Sequence, residues 1–148
     1  MEERIRKSET KLSKIIFPFT LNDHETLFGG TIMKWMDEVA YITATRFTKK
    51  KMVTVSVEKV NFQLPIYVGT IIEIIGIVSN VKKAKIEVQV EIHVEEMYTD
   101  HRQKAVDALF TFAAVDNNHK PIRIETSEIK DNHQTYHKHE GYVNKKQY

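Results

Sequence analysis

The chain contains no cysteine. Disulfides, thiolate metal sites and a cysteine nucleophile are thereby excluded. Glycine and proline are scarce, five and three among 148 residues. The glycines form neither a phosphate-binding loop nor a dinucleotide fingerprint. None of the five serines stands in the Gly-x-Ser-x-Gly setting of a nucleophile elbow. Neither charge sign prevails: 22 Lys and Arg stand against 20 Asp and Glu, a formal net charge of +2. The run Lys49-Lys50-Lys51 is short and reads as a solvated turn, so no nucleic-acid partner is expected. No apolar run is long enough to span a bilayer. The stretch Met1 to Lys14 is densely charged and lacks the apolar centre of a signal peptide, so the cytoplasm is the expected compartment.

What is present fits one domain with an ordinary core, since 41% of the residues are hydrophobic. Residues 1–12 read as a polar arm. Ser13 to Thr20 is a short apolar run that suits a first strand, with Pro18 marking an edge or an ending. Leu21 to Phe28 is loop-like. After Gly29-Gly30, Thr31 to Phe47 is the one long helix candidate. Ile32, Trp35, Met36, Val39, Ile42 and Thr43 recur at helical steps, and Met33, Ala40 and Ala44 widen that face. A helix apolar on most sides is expected to be buried.

Four β segments follow. In Met52 to Phe62, Val53, Val55 and Val57 alternate with Thr54, Ser56 and Glu58. Leu64 to Gly69 reads as a break. Thr70 to Val78 is nearly all apolar. In Lys85 to Glu95, Ile86, Val88, Val90, Ile92 and Val94 share one face, as in an antiparallel sheet with one wet side. Lys104 to Val115 is a last, more buried strand. No helices separate these strands, so parallel crossovers are not expected. The simplest α+β solution is one antiparallel sheet curled around one long central helix. The domain is expected to span residues 1–125. Residues 126–148 form a polar tail that holds His133, His137 and His139; the first two have metal-ligand spacing only if the tail is helical.

Asp37 falls about two turns into the helix, flanked by Met33, Met36, Ala40 and Tyr41. A carboxylate there is costly unless a partner or a cleft solvates it. It suits a general base; equally, it suits a surface pair with Lys34, three residues back. Glu38 lies about 100° around the helix and suits a structural role. Gly29 and Gly30 precede a helix N-terminus, where unpaired N–H groups and a partial positive charge can hold an oxyanion. A tight turn would need the same glycines. Asn22 reads as a turn residue. His24-Glu25 begins like a zinc protease motif, but Phe28 stands where the second histidine belongs. Lys82, Lys83 and Lys85 suit either a phosphate contact or a solvated turn.

Three stretches, in order, resemble the hotdog-fold acyl-CoA thioesterases. The first is Asn22-x-x-x-x-x-Phe28-Gly29-Gly30-x-Ile32-Met33-x-x-Met36-Asp37-Glu38. The second is Val53-Thr54-Val55-Ser56-Val57 with Asn61-Phe62-x-x-Pro65-Ile66-x-Val68-Gly69. The third is Phe110-Thr111-Phe112-Ala113-Ala114-Val115-Asp116. The resemblance covers residues 12 to 122 and implies the hotdog fold and hydrolysis of acyl-CoA. It places Asp37 as the catalytic acid residue and Asn22 as the group that orients substrate or water. The amides near Gly29 and Gly30 become the oxyanion donors; Lys82, Lys83 and Lys85 are the candidate contacts to CoA phosphates on their charge alone. It implies no metal or redox cofactor and a homodimer as the unit, assembled as a trimer of dimers, with Asn22 and Asp37 of one site drawn from different subunits. Two places depart from the family pattern. Glu25 stands where the loop often has glycine, and Ser79 to Ala84 replaces a turn that often carries glycine, arginine and serines. A hotdog hydroxyacyl dehydratase, using His24 with Asp37, and a non-catalytic acyl-CoA-binding protein are the alternatives.

Overall fold

A computed structural model describes residues 1–126; the tail histidines His133, His137 and His139 lie outside them. The N-terminus is a helix, α1 (Glu2–Ser8), where a polar arm was expected. Its charges are arranged for helix. Glu2 and Glu3 open it and Arg6 and Lys7 close it, complementing the dipole. Glu3 and Lys7 pair at 3.0 Å, one turn apart. Arg4 then docks the helix on the core: it donates to the Phe47 carbonyl at 2.8 Å and lies 4.3 Å from that ring's centroid.

Strand β1 (Thr10–Ile15) starts before the apolar run and stops short of Pro18, which opens a 3-10 turn at Pro18–Thr20. The long helix α2 runs Gly29–Thr48, followed by β2 (Lys51–Phe62), β3 (Thr70–Val81), β4 (Lys85–Glu96) and β5 (Arg102–Val115). The five strands form one antiparallel sheet in the order β1-β3-β4-β5-β2. The sheet wraps α2, as the pattern predicts. Ile72, Ile74, Ile86, Val88, Val90, Ile92, Phe110 and Phe112 meet Met36, Val39, Ala40, Ala44 and Phe47 in a single buried core. On the opposite face Arg102 bridges the Glu73 and Glu95 carboxylates across three strands.

The helix is not buried on most sides, as its composition suggests. Tyr41 and Ile42 are exposed, and Trp35 is half-buried with the Lys14 ammonium 4.8 Å above its ring. One face of a single sheet can cover only one stripe of a helix.

Gly76 sits where α2 comes closest to β3. A Cβ there would lie 2.6 Å from the Thr43 hydroxyl and 3.0 Å from Val39 Cγ1. The Thr43 hydroxyl donates to the Val39 carbonyl at 2.9 Å and stands 3.5 Å from the Gly76 carbonyl. The missing side chain sets the depth of the helix.

Strand β2, at one edge, departs most from its pattern. Directly paired residues on antiparallel strands put their side chains on one face. Met52 pairs with Ala114 and Thr54 with Phe112, so they face the helix. The register shifts at Val55, after which Val57 pairs with Phe110. It shifts again between Glu58 and Asn61, where Lys59 has φ 52°, and Phe62 then pairs with Val106. Each bulge adds a residue and flips which side chains point inward. The regular Val53-Val55-Val57 alternation therefore marks no single face, and Val55 is exposed.

Candidate active site

The loop before α2 is organised by Asn22. Its Oδ1 accepts from the His24 and Thr26 backbone N–H groups at 2.9 and 3.1 Å, while its Nδ2 lies 2.9 Å from the Thr26 hydroxyl. The loop is stitched to the chain after β2 by the Leu27 amide on the Ile66 carbonyl, 2.9 Å. The turn needs a left-handed residue, and Glu25 takes that place with φ 62°. This is the position where the thioesterase loop often has glycine. A left-handed non-glycine residue costs about 1–2 kcal/mol, part of which glycine returns through its freer unfolded chain. Glu25→Gly is therefore expected to stabilise the protein by roughly 0.5–1 kcal/mol, a rise of about 2 °C in melting temperature. A lower melting temperature would mean that the Glu25 side chain holds the loop by other means.

Helix α2 starts without a cap. Phe28 precedes it and supplies no side-chain acceptor, and the first backbone bond is from the Ile32 N–H to the Phe28 carbonyl at 3.0 Å. The amides of Gly29 and Gly30 thus stand at an exposed helix terminus that attracts negative charge. Gly29 borders a cleft of about 380 Å³ whose wall includes Leu27, Ile32 and Ile66, with Phe62 and Leu64 opposite. A Cβ on Gly29 would stand 3.7 Å from the Phe62 ring, whereas one on Gly30 would meet nothing within 4 Å. Packing within the chain does not call for glycine at residue 30.

Asp37 is half-buried on α2 and accepts a hydrogen bond from the Thr54 hydroxyl at 3.2 Å. Among the described residues neither it nor Lys34 makes an ion pair, so the surface-pair alternative is not realised. Thr54 was not singled out by the sequence, in which it counts as a wet-face residue of a regular strand. The bulge at Val55 leaves Thr54 on the helix side, directly opposite Phe112. The parity of Phe112, a core position of the next strand, is the one signal that could have found it. The Asp37–Thr54 pair lies at the β2 edge beside exposed Val55 and Tyr41.

The candidates occupy three places along the molecule. Asn22, Gly29 and Gly30 gather at the N-terminal end of α2. Asp37 lies eight residues further, about 12 Å along the axis at 1.5 Å per residue. No hydrogen bond joins Asn22 to Asp37 among the described residues. The lysine turn is at the far end of the sheet, where Lys85 pairs with Ala113 close to the start of β2. Lys82 is held by Glu87 at 2.9 Å, and its ammonium keeps that carboxyl below the usual range. Lys83 and Lys85 are exposed and make no ion pair among the described residues. His24 is exposed beside Asp23, 3.8 Å away, and no group of three metal-ligating side chains occurs among the described residues.

Residues 24–100 match the family model of the thioesterase superfamily. A Haemophilus influenzae protein named as an uncharacterized acyl-CoA thioester hydrolase is 36% identical over 118 residues, 78% of this chain and 77% of that one. The structure of an acyl-CoA hydrolase from Staphylococcus aureus, solved in complex with butyryl coenzyme A and coenzyme A, aligns with a TM-score of 0.78 at 32% identity, covering 81% of this chain and 73% of that one. A hexameric thioesterase from Yersinia pestis aligns with a TM-score of 0.72 at 28% identity, over 78% and 93% of the two chains. Variants of the Staphylococcus enzyme replace an asparagine, an aspartate and a threonine with alanine; fifteen positions separate the first two and seventeen the last two, the intervals between Asn22, Asp37 and Thr54 here. The sheet wrapped around α2 is the hotdog fold that the sequence resemblance implied. With a family match over just over half its length and relatives above 30% identity across most of theirs, this chain belongs to the thioesterase superfamily.

Proposed function

We propose that the protein is an acyl-CoA thioesterase that hydrolyses acyl-CoA to a free carboxylic acid and CoA. The observation that carries this is the uncapped N-terminus of α2 opening on an apolar cleft, in a chain that also carries Asn22, Asp37 and Thr54 at the intervals of the acyl-CoA hydrolase variants. The acyl chain enters the cleft. The Gly29 and Gly30 amides meet the carbonyl oxygen as it becomes an oxyanion, each donor contributing roughly 3 kcal/mol by analogy with other enzymes. Asp37, oriented by Thr54, takes a proton from water as the water attacks, or attacks the carbonyl itself to form an anhydride that water then hydrolyses; Asn22 orients the water or carbonyl. The C–S bond then breaks, and CoA leaves as the thiol after proton return. This chemistry requires no metal or redox cofactor.

One carbonyl cannot touch both the amides and the carboxylate of a single chain across about 12 Å. The working site therefore joins the helix N-terminus and Asn22 of one subunit to Asp37 and Thr54 of another. The open β2 edge beside Asp37 suits that pairing. We place the dimer as the unit and a trimer of dimers as the assembly, in keeping with the hexameric relative. The cytoplasm is the proposed compartment; no helix among the described residues is long and apolar enough to cross a membrane.

The test is a thiol-release assay on the purified protein over acyl-CoAs of increasing chain length, run beside an enoyl hydration assay. Thiol release without hydration is expected. Hydration would restore the dehydratase reading, and tight acyl-CoA binding without turnover would point to a sensor. CoA phosphates are assigned to Lys83 and Lys85, the two lysines of the β3–β4 turn that make no ion pair among the described residues. Lys83→Glu with Lys85→Glu is expected to raise KM for acyl-CoA about 5- to 10-fold at low salt and to weaken its salt dependence. A thioester lacking the nucleotide should be unaffected; equal loss on both substrates would assign the turn to folding.

A further inference from the structure

The cleft wall formed by Phe62, Gln63 and Leu64 is held from behind. Phe62 and Leu64 line the cleft yet are 54% and 37% exposed, so burial does not fix them. On the other face of the sheet, Asp107 of β5 is 9% exposed and grips the residues on either side of Phe62. Its Oδ1 accepts from Asn61 Nδ2 at 2.9 Å and its Oδ2 from Gln63 Nε2 at 3.3 Å. Lys104 neutralises it at 3.0 Å. The hydrogen bond from Asn61 and the Lys104 ammonium hold its carboxyl below the ordinary carboxylate range, so it is charged at neutral pH. The same Asn61 amide reaches the carbonyl of Lys59 at 3.3 Å, the left-handed bulge residue that sets the inward parity of Phe62. The Gln63 and Leu64 amides share one acceptor, the Ala105 carbonyl, at 2.8 and 3.2 Å.

We propose that Asp107 is a positioning residue for acyl-chain selectivity: by clamping Asn61 and Gln63 it sets where Phe62 and Leu64 stand in the cleft. It touches no reacting atom and acts only through those two amide side chains. The inference rests on the reading of this cleft as the acyl-chain site. It assigns the selectivity of that site to a carboxylate on the opposite face of the sheet.

The experiment compares kcat and KM over acyl-CoA chain length for three variants of the full chain, with melting temperatures measured alongside. Asp107→Asn keeps the volume but removes the negative charge on which Asn61, Gln63 and Lys104 converge. It should lower kcat/KM for the longest well-used acyl-CoA about tenfold, through KM, and leave kcat for the shortest within about twofold. Adding Gln63→Glu to Asp107→Asn returns one carboxylate to the same clamp, and the wild-type chain-length profile should return. Leu64→Trp fills the cleft and should abolish long-chain preference whatever Asp107 does. If Leu64→Trp moves the profile and Asp107→Asn does not, the clamp is refuted and the cleft reading stands. If neither moves it, the cleft is not the acyl site and the inference falls with that reading. A uniform loss at every chain length, unrescued by Gln63→Glu, would make Asp107 a stabilising residue only and overturn the proposal. Should Asp107→Asn fail to fold, Asn61→Ala removes the shorter of the two clamps, and the same outcomes decide.

Discussion

Asp37→Ala is expected to lower kcat at least ~100-fold, the low end for losing a general base, with little change in melting temperature. The fold should persist because the carboxylate is only half-buried and Thr54, its side-chain partner among the described residues, is exposed and can turn to water. Alanine is also a better helix former than aspartate, which offsets part of the lost hydrogen bond. If Asp37 acts as a base, KM should change less than kcat, since the carboxylate matters most as the water is deprotonated. Near-normal turnover with an unaltered melting curve would return Asp37 to an edge residue whose only role is to bond Thr54.

Mixing inactive subunits should restore activity. Asn22→Ala and Asp37→Ala proteins, each nearly inactive, are co-refolded in equal amounts. In a two-fold dimer half of the assemblies contain one chain of each kind. Such a dimer has one site that lacks both residues and one that retains both. Activity should therefore recover to roughly a quarter of wild type, by counting alone. The geometry behind this is the rise of the helix: Asn22 belongs with the N-terminus of α2, and Asp37 lies about 12 Å along it. Asn22→Ala also removes the acceptor that the His24 and Thr26 amides use, so its loop must be checked for order before mixing. Mixtures that stay as inactive as their parents, with subunit exchange confirmed, would rule out the shared site.

The parts of this molecule legible in the sequence are those in which one periodicity runs uninterrupted. Strand β4 alternates without a break from Ile86 to Ile92, and each of its even-numbered residues there is buried. Helix α2 shows its buried stripe at three- and four-residue steps. Helix α1 was missed because its contribution is ionic: Arg4 and the Glu3–Lys7 pair carry it, with Ile5 its apolar anchor. The excess of apolar residues on α2 was read as burial, whereas Tyr41 and Ile42 lie on a side that one chain does not cover. At the site, type and spacing make Gly29 and Asp37 candidates, and the family resemblance is what ranks them above a tight turn and a surface pair. Thr54 was hidden because bulges leave no mark in a hydrophobic count; Val53, Val55 and Val57 look regular through a segment whose pairing shifts twice. Phe62 reads in the sequence as the end of a strand and Leu64 to Gly69 as a break, and neither pattern marks a cleft wall. Lys82 was grouped with its neighbours because an ion pair across a hairpin, to Glu87, depends on register rather than on sequence distance.

The glycine at residue 76 also decides an ambiguity that alternation cannot. Sliding β3 by one residue would turn Ile72, Ile74 and Val78 outward and carry Glu73 into the core, and is forbidden on that ground. Sliding it by two preserves every inward and outward assignment, so hydrophobic patterning is blind to that error. Such a slide would bring Ile74 or Val78 beneath Thr43, where even a single Cβ already comes within 2.6 Å of the hydroxyl. The helix could then no longer seat at its depth, and the heights of Asp37 and the α2 N-terminus above the sheet would change together. An absent side chain thus acts as the register key of the strand: it admits one alignment and rejects the neighbouring pair that would otherwise look equally good.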